Sequence, residues 1–383
     1  MQSATSVDEQ RLLKVIFIDG LQSKYPYIWL LDNCLCSQCY IHSANQRRLL
    51  FSQLDFQAAP ESVAITPDGA NLTVTWSKEH SGDYTADWLR THQFDSSKPD
   101  EMGEPQLNIW GAEMVTKIPM FDFNDVMNND AELFKWLDSL NTSGLALIKN
   151  VPQKVGQNER IANRVSYLRP TNYGIVFTVK SKIDATNAAY TTARLGLHTD
   201  LPYFDHTPGV QMLHCIQQCE GDGGDSEFAD GFKAALQLKN ENPEAFKILS
   251  TTWMDFFDIG TDYYPYHLHR QAKTICLGRN GNVERVSHSQ IGRSAMMRIP
   301  VEQVEAVYKA LKAFDDILHH KDNIIKFKME SGDMVTFNNT RVLHGRSAFK
   351  IGQKGSRHLE GGYIDWDEIR SKLRVLKANA NGD

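Results

Sequence analysis

The sequence predicts an α+β protein: a β-sandwich or barrel with helices packed against it, preceded by a small β-rich N-terminal unit. Three observations carry that expectation. In the larger unit helical patterns come first, followed by short strands with long insertions, an order that suits a sandwich or barrel better than a doubly wound sheet. The strand-like runs are rich in aromatic and β-branched residues. No glycine-rich phosphate loop is present; Gly221-Asp222-Gly223-Gly224 has the glycines but neither the Lys nor the helix opening of a phosphate site.

The elements follow in chain order. Residues 14–18, 27–31 and 72–76 read as short strands of the first unit. Polar residues with Pro and Gly between Asp95 and Pro105 read as a connection, dividing the chain into residues 1–95, a linker over 96–115 and a larger unit over 116–383. There, Asn129 or Asp130 can cap a helix to about residue 140, with Leu133, Trp136, Leu137 and Leu140 on one face. A strand follows over 144–148. Asn242-Pro243 joins a cap to a first-turn proline and opens a short helix through Leu249. Pro300 precedes the longest helix, in which Val304, Val307, Leu311, Phe314 and Leu318 recur at helical spacing. Residues 324–329, the turn Ser331-Gly332-Asp333 and residues 334–337 read as a β-hairpin delivering the chain to Arg341 and His344, and residues 357–364 as a further strand.

Apolar and charged fractions of 41% and 23% in 383 residues are those of a globular protein. A net charge of −6 without any Lys/Arg run argues against nucleic acid or a membrane surface as partner. No apolar run approaches the ~20 residues of a membrane span, and the polar, acidic residues 1–10 have no signal-peptide core. A cytoplasmic location is expected. Of six cysteines, three crowd into Cys34-Leu35-Cys36-Ser37-Gln38-Cys39. In a reducing compartment such a cluster reads as a metal site, because adjacent thiolates repel unless a cation neutralises them. Zinc takes four ligands. His42, His80 or His92 can supply the fourth, with His80 favoured because it follows the 72–76 strand in a loop able to fold back. No acid or base stands beside the cluster, so its role reads as structural; reduced buried cysteines are the plain alternative.

His198-Thr199-Asp200, taken with the distant His344, is the ligand set of a facial iron(II) triad, which leaves coordination positions open for oxygen and a co-substrate. With 13 His and 47 acidic residues, a His-x-Asp pairing also arises by chance, so the surrounding motifs decide. Together with Gly223-Gly224-Asp225-Ser226, His344-Gly345-Arg346 and Ser356-Arg357-His358, it resembles the 2-oxoglutarate-dependent oxygenases of the taurine dioxygenase type. The run from Asp32 to Cys39 resembles the zinc-binding N-terminal domain of the γ-butyrobetaine and trimethyllysine dioxygenases. Residues 182–192 and 357–366 resemble the γ-butyrobetaine dioxygenase family specifically.

The resemblance implies a double-stranded β-helix (jelly-roll) catalytic domain behind a small β-rich zinc-binding domain. It implies His198, Asp200 and His344 as iron(II) ligands, with Arg357, Ser226 and Leu213 around 2-oxoglutarate. A guanidinium offers the bidentate fork that a lysine lacks; Arg346 is the weaker candidate for that role. Zinc would sit on Cys34, Cys36, Cys39 and His80. A homodimer and ascorbate as optional reductant also follow from the resemblance alone.

A quaternary ammonium cannot donate a hydrogen bond and is best held by aromatic faces. By resemblance Tyr173, Phe177, Tyr190 and Tyr363 form that cage, and Asn187 contacts the substrate. Phe177 is a departure from an expected Trp and offers a weaker quadrupole. The implied reaction is the stereospecific hydroxylation of γ-butyrobetaine to L-carnitine with O2, releasing succinate and CO2. Two alternatives stay open. Trimethyllysine dioxygenase activity would need an acidic partner for the substrate's α-amino group, which the sequence does not locate. A non-catalytic, zinc-dependent methylammonium-binding module would have no need of an intact triad.

Overall fold

The computed structural model describes residues 1–77, 80–94, 105–180, 192–219, 221–349 and 357–381. The chain folds as two compact units, Met1–Glu104 and Pro105–Asp383.

The first unit holds two three-stranded antiparallel sheets, Ser3–Val7, Leu12–Ile16, Gln22–Pro26 and Ser62–Ile65, Asn71–Ser77, His80–Thr85. Leu13 and Val15, like Leu72, Val74 and Trp76, point inward at the period of two that a half-buried strand requires. Residues 27–31 depart from the sequence expectation: they form the helix Tyr27–Asp32, not a strand. Pro26 sits at its N-cap, and the buried Tyr27, Leu30 and Leu31 fall at positions i, i+3 and i+4. Aromatic content suggested a strand there, but the spacing of the apolar residues is helical. His80 likewise opens a strand instead of lying in a loop.

The second unit is a sandwich of two sheets, the jelly-roll and α+β class that the sequence predicts. The larger sheet runs Phe177–Lys180, His358–Ile364, Val210–Gln217, Met334–Asn338, Leu145–Lys149, Met120–Asp122, antiparallel except at its last pair. The smaller runs Leu195–His198, Val342–Arg346, Ser226–Asp230, Ile324–Phe327. Leu145, Leu147, Val335 and Phe337 of the first meet Phe228, Ile325 and Val342 of the second in the space between. The alternate residues Ala146, Ile148, Met212 and Met334 pack outward on the helix Asp130–Thr142 through Leu133, Trp136, Leu137 and Leu140. Leu197, Ala229 and Leu343 do the same on the helices Gly231–Glu241, Pro243–Thr251 and Val301–Leu318. Caps begin two of these helices as expected: Asn129 accepts from the Ala131 amide at 2.8 Å, and Asn242 from Ala245 at 3.0 Å.

The expected hairpin over residues 324–337 is corrected. Ile324–Phe327 belongs to the smaller sheet and Met334–Asn338 to the larger, so the Gly332 turn, at φ +93°, carries the chain between sheets. A tight turn between two strands looks the same in sequence whether the strands pair or part.

One buried ion pair ties the sandwich to its flank. Arg341, 1% exposed, donates a two-pronged fork to Asp230 at 3.0 and 2.7 Å, and its remaining N–H groups donate to the carbonyls of Thr142 and Asn108.

Candidate active site

His198 ends one strand of the smaller sheet, and His344 lies in the next; the two are register partners. That pairing brings their rings together, tilted 38° to each other with centroids 4.3 Å apart. Asp200 follows two residues later, and its Oδ1 stands 3.1 Å from His198 Nε2 and 3.8 Å from His344 Nε2. The three side chains offer one ligand atom each within 4.8 Å of one another.

The loop bearing Asp200 is pinned from both sides. Asn339, fully buried, accepts from the Asp200 amide at 2.7 Å and donates to the carbonyls of Asp200 and Pro208 at 2.9 and 3.1 Å. The Thr199 amide donates to the His288 carbonyl at 2.8 Å. Leu201, next in line, takes φ +56°, a left-handed conformation costly for a residue with a branched side chain and retained where surroundings enforce it. Tyr363 donates its hydroxyl to Asp200 Oδ2 at 2.7 Å, orienting the carboxylate so that Oδ1 faces the imidazoles.

The donor set suits a divalent cation. His198 donates Nδ1–H to the Gly196 carbonyl at 2.9 Å, which leaves Nε2 to present its lone pair to Asp200 Oδ1. Two lone-pair atoms at that separation repel unless a proton or a cation joins them. Burial opposes a charged His198, but the hydrogen bond and charge of Asp200 outweigh it and hold the imidazole above its ordinary pKa. Burial, reinforced by the neighbouring His198, pushes His344 down to about 3. Burial also disfavours ionised Asp200, yet the charge of His344, then His198 and the Tyr363 hydroxyl hold it well below the usual carboxylate range. A nitrogen–oxygen set with three protein ligands on one face fits iron(II).

These residues line a cavity of about 430 Å³, a size ordinary for a small-molecule site. Arg357, Ser226 and Leu213 line it as well, together with Arg346. Arg357 is 6% exposed, its Nε has no acceptor, and among the described residues no carboxylate pairs with it. Burial lowers its pKa. A buried guanidinium without a counter-ion costs several kcal/mol, so an anionic ligand would be strongly favoured there. Arg346 donates instead to the Ala193 carbonyl at 2.8 Å and lies over the Phe349 ring, 4.8 Å from its centroid.

Aromatic side chains line another part of the cavity: Tyr173, Phe177, Tyr203 and Tyr363. Phe177 stacks on Tyr363 at 5.4 Å and meets Tyr173 at 6.2 Å. Asn187 and Tyr190 lie outside the described residues. Three cavity-side groups were not picked out from sequence: Tyr203, Asp258 and, behind the triad, Asn339. Asp258 in the run Phe256-Phe257-Asp258 is a charge amid aromatics, a usable signal; Asn339 and Tyr203 carry no motif.

In the first unit Cys34, Cys36, Cys39 and His80 also bring one ligand atom each within 4.8 Å of one another, with Cys39 Sγ 3.2 Å from His80 Nε2. Burial pushes the thiols of Cys34 and Cys39 up to about 12 and about 11. The buried Cys34 and Cys39 thiols therefore stay largely protonated unless a cation draws them out as thiolates, whereas at Cys36 burial opposes ionisation but hydrogen bonds from Cys34 and the backbone outweigh it and lower the thiol's pKa. A set of three sulfurs and one imidazole suits zinc. His42, the nearest alternative in sequence, is instead 2.8 Å from the Leu35 carbonyl.

A jelly-roll in which a single cavity joins a His-Asp-His face to a buried arginine fits an oxygenase of the iron and 2-oxoacid class. Residues 101–363 match the family model described as "Taurine catabolism dioxygenase TauD, TfdA family", and residues 5–90 the model "Gamma-butyrobetaine hydroxylase-like, N-terminal". The chain belongs to the TauD, TfdA family of dioxygenases. It is 41% identical over 381 residues to the γ-butyrobetaine dioxygenase of Pongo abelii, across 98% of this chain and 97% of that protein. Against the γ-butyrobetaine dioxygenase of Homo sapiens the identity is 40% over the same coverage. A trimethyllysine dioxygenase of Meyerozyma guilliermondii is more distant, 30% identical over 372 residues, 93% of this chain and 91% of that protein.

Proposed function

We propose that this dioxygenase hydroxylates γ-butyrobetaine to L-carnitine, consuming 2-oxoglutarate and O2 and releasing succinate and CO2. The observation that carries the reading is the cavity itself, in which an iron-type triad, an uncompensated buried guanidinium and an aromatic cluster share one space. His198, Asp200 and His344 would hold iron(II), which when bound supplies oxygen activation coupled to decarboxylation of the 2-oxoacid. Arg357 would take the remote carboxylate of 2-oxoglutarate as a fork, with Ser226 and Leu213 beside it. Tyr173, Phe177 and Tyr363, with Tyr190 and Asn187, would hold the trimethylammonium substrate so that a single C–H faces the metal. The protein thus contributes position and exclusion of water.

Trimethyllysine is the weaker reading. Its α-amino group needs an acidic partner, and among the described residues the carboxylates lining the cavity are Asp200, in the triad, and Asp258, among the phenols. Membership of a dioxygenase family also disfavours a pure methylammonium-binding module. Residues 1–95 would serve as a zinc-binding domain on Cys34, Cys36, Cys39 and His80, and 116–383 as the oxygenase domain. A cytoplasmic homodimer with ascorbate as reductant accords with the sequence resemblance. Incubating the purified protein with iron(II), 2-oxoglutarate and either γ-butyrobetaine or trimethyllysine, then measuring succinate, tests the reading. Substrate-dependent succinate with γ-butyrobetaine is expected; stimulation by trimethyllysine alone would overturn it.

A further inference from the structure

Asp258 lies on the strand Trp253–Gly260, outside both sheets of the sandwich, and lines the cavity among its aromatics. Tyr173 and Tyr203 donate their hydroxyls to its Oδ2 at 2.9 and 2.8 Å, and the two phenol oxygens are 3.1 Å apart. Tyr266 and Asn172 add longer bonds to the same oxygen, each at 3.3 Å. Among the described residues no Lys, Arg or His forms an ion pair with this carboxylate. Four donors gather on one oxygen, and none of them is a cation that could balance a carboxylate charge. A phenol that donates to an anion also gains electron density, which makes its ring face more attractive to a cation.

We propose that Asp258 is a specificity-determining residue: its charge, spread through the phenols of Tyr173 and Tyr203, makes the aromatic end of the cavity select a cationic head over a neutral one of the same shape. The inference rests on the trimethylammonium reading above. It mirrors the co-substrate side, where Arg357 is a buried cation without a carboxylate. Aromatic faces alone already favour a trimethylammonium group over a tert-butyl group, by roughly 0.5–2 kcal/mol of cation–π attraction. A net negative charge a few ångströms behind them separates the two further, because the interaction acts in a partly desolvated space.

The test compares γ-butyrobetaine as substrate with its carbon isostere 5,5-dimethylhexanoate as competitive inhibitor, for wild type and Asp258→Asn. The asparagine keeps the shape and one acceptor oxygen but removes the charge. Wild type is expected to favour the cation strongly. In D258N the KM for γ-butyrobetaine should rise by about tenfold or more, exceeding any fall in kcat, while the inhibition constant of the isostere moves less than threefold. D258E, which restores the charge, should recover part of the preference. If Asp258 merely props up the cage, both ligands weaken in parallel in D258N and D258E alike, and the proposal is overturned. If wild type forms no product from γ-butyrobetaine, the functional reading fails first, which the D258N comparison distinguishes by needing an active wild type.

Discussion

Tyr363→Phe separates two roles that one side chain could play. The phenyl ring, stacked on Phe177 at 5.4 Å, survives the change, so any aromatic contribution to substrate binding stays nearly intact. What is lost is the hydroxyl that donates to Asp200 Oδ2 at 2.7 Å. A hydrogen bond to a charged group contributes roughly 1.5–3 kcal/mol, and each 1.4 kcal/mol is about tenfold in affinity. Removing it frees the carboxylate to rotate and lowers the population in which Oδ1 faces both imidazoles. The expected result is a metal affinity about 10- to 100-fold weaker, the range seen when groups orienting metal ligands are removed. Anaerobic titration with iron(II), or with manganese(II) followed by its paramagnetic resonance, measures this directly in the absence of substrate. A Y363F protein that binds metal within twofold of wild type, while losing affinity for γ-butyrobetaine, would refute the orienting role and leave only the cage.

Further outcomes follow from the same geometry. Arg357→Met should raise the KM for 2-oxoglutarate by about 100-fold or more, since the proposed fork on its remote carboxylate would be lost. The same variant should melt at a higher temperature than wild type without co-substrate, because an uncompensated buried cation has been removed, and should lose the thermal shift on adding 2-oxoglutarate. Asn339→Ala strips three bonds from the backbone around Asp200 and is expected to lower stability by about 2–3 kcal/mol in denaturant titration. Arg341→Met leaves Asp230 buried and unpaired, for an expected loss of about 3–5 kcal/mol; a change below about 1 kcal/mol would show the pair to be dispensable. Cys36→Ser should abolish stoichiometric zinc measured by elemental analysis, and zinc retained at wild-type level would exclude the cluster as its site.

Much of this was legible because it is local. The Asn129 cap and the apolar face Leu133, Trp136, Leu137, Leu140 follow directly from helical spacing, and they are where the pattern puts them. The Cys-x-Cys-x-x-Cys run advertised its own cluster. The triad was legible only as a motif. His198 and His344 meet because they are register partners on neighbouring strands, and nothing within either segment states that register. Residues 27–31 have the aromatic composition of a strand, while the helical spacing of Tyr27, Leu30 and Leu31 is what decides their structure. The false hairpin at Gly332 arose because a turn does not say which sheet receives the next strand. Asn339 carries no local signal, because its role comes from a partner 139 residues away in sequence. Asp258 stands out as a charge amid aromatics, but its partner Tyr173, 85 residues away, is not legible from that run.

The most direct measurement follows the oxygen atoms. Purified protein is supplied with iron(II), 2-oxoglutarate, γ-butyrobetaine and isotopically heavy dioxygen, and the products are weighed by mass spectrometry. One succinate per carnitine is expected, with heavy oxygen in the new hydroxyl group and in succinate, and with all turnover lost in His198→Ala. Succinate formed without any hydroxylated γ-butyrobetaine, or carnitine formation surviving in H198A, would contradict the assignment.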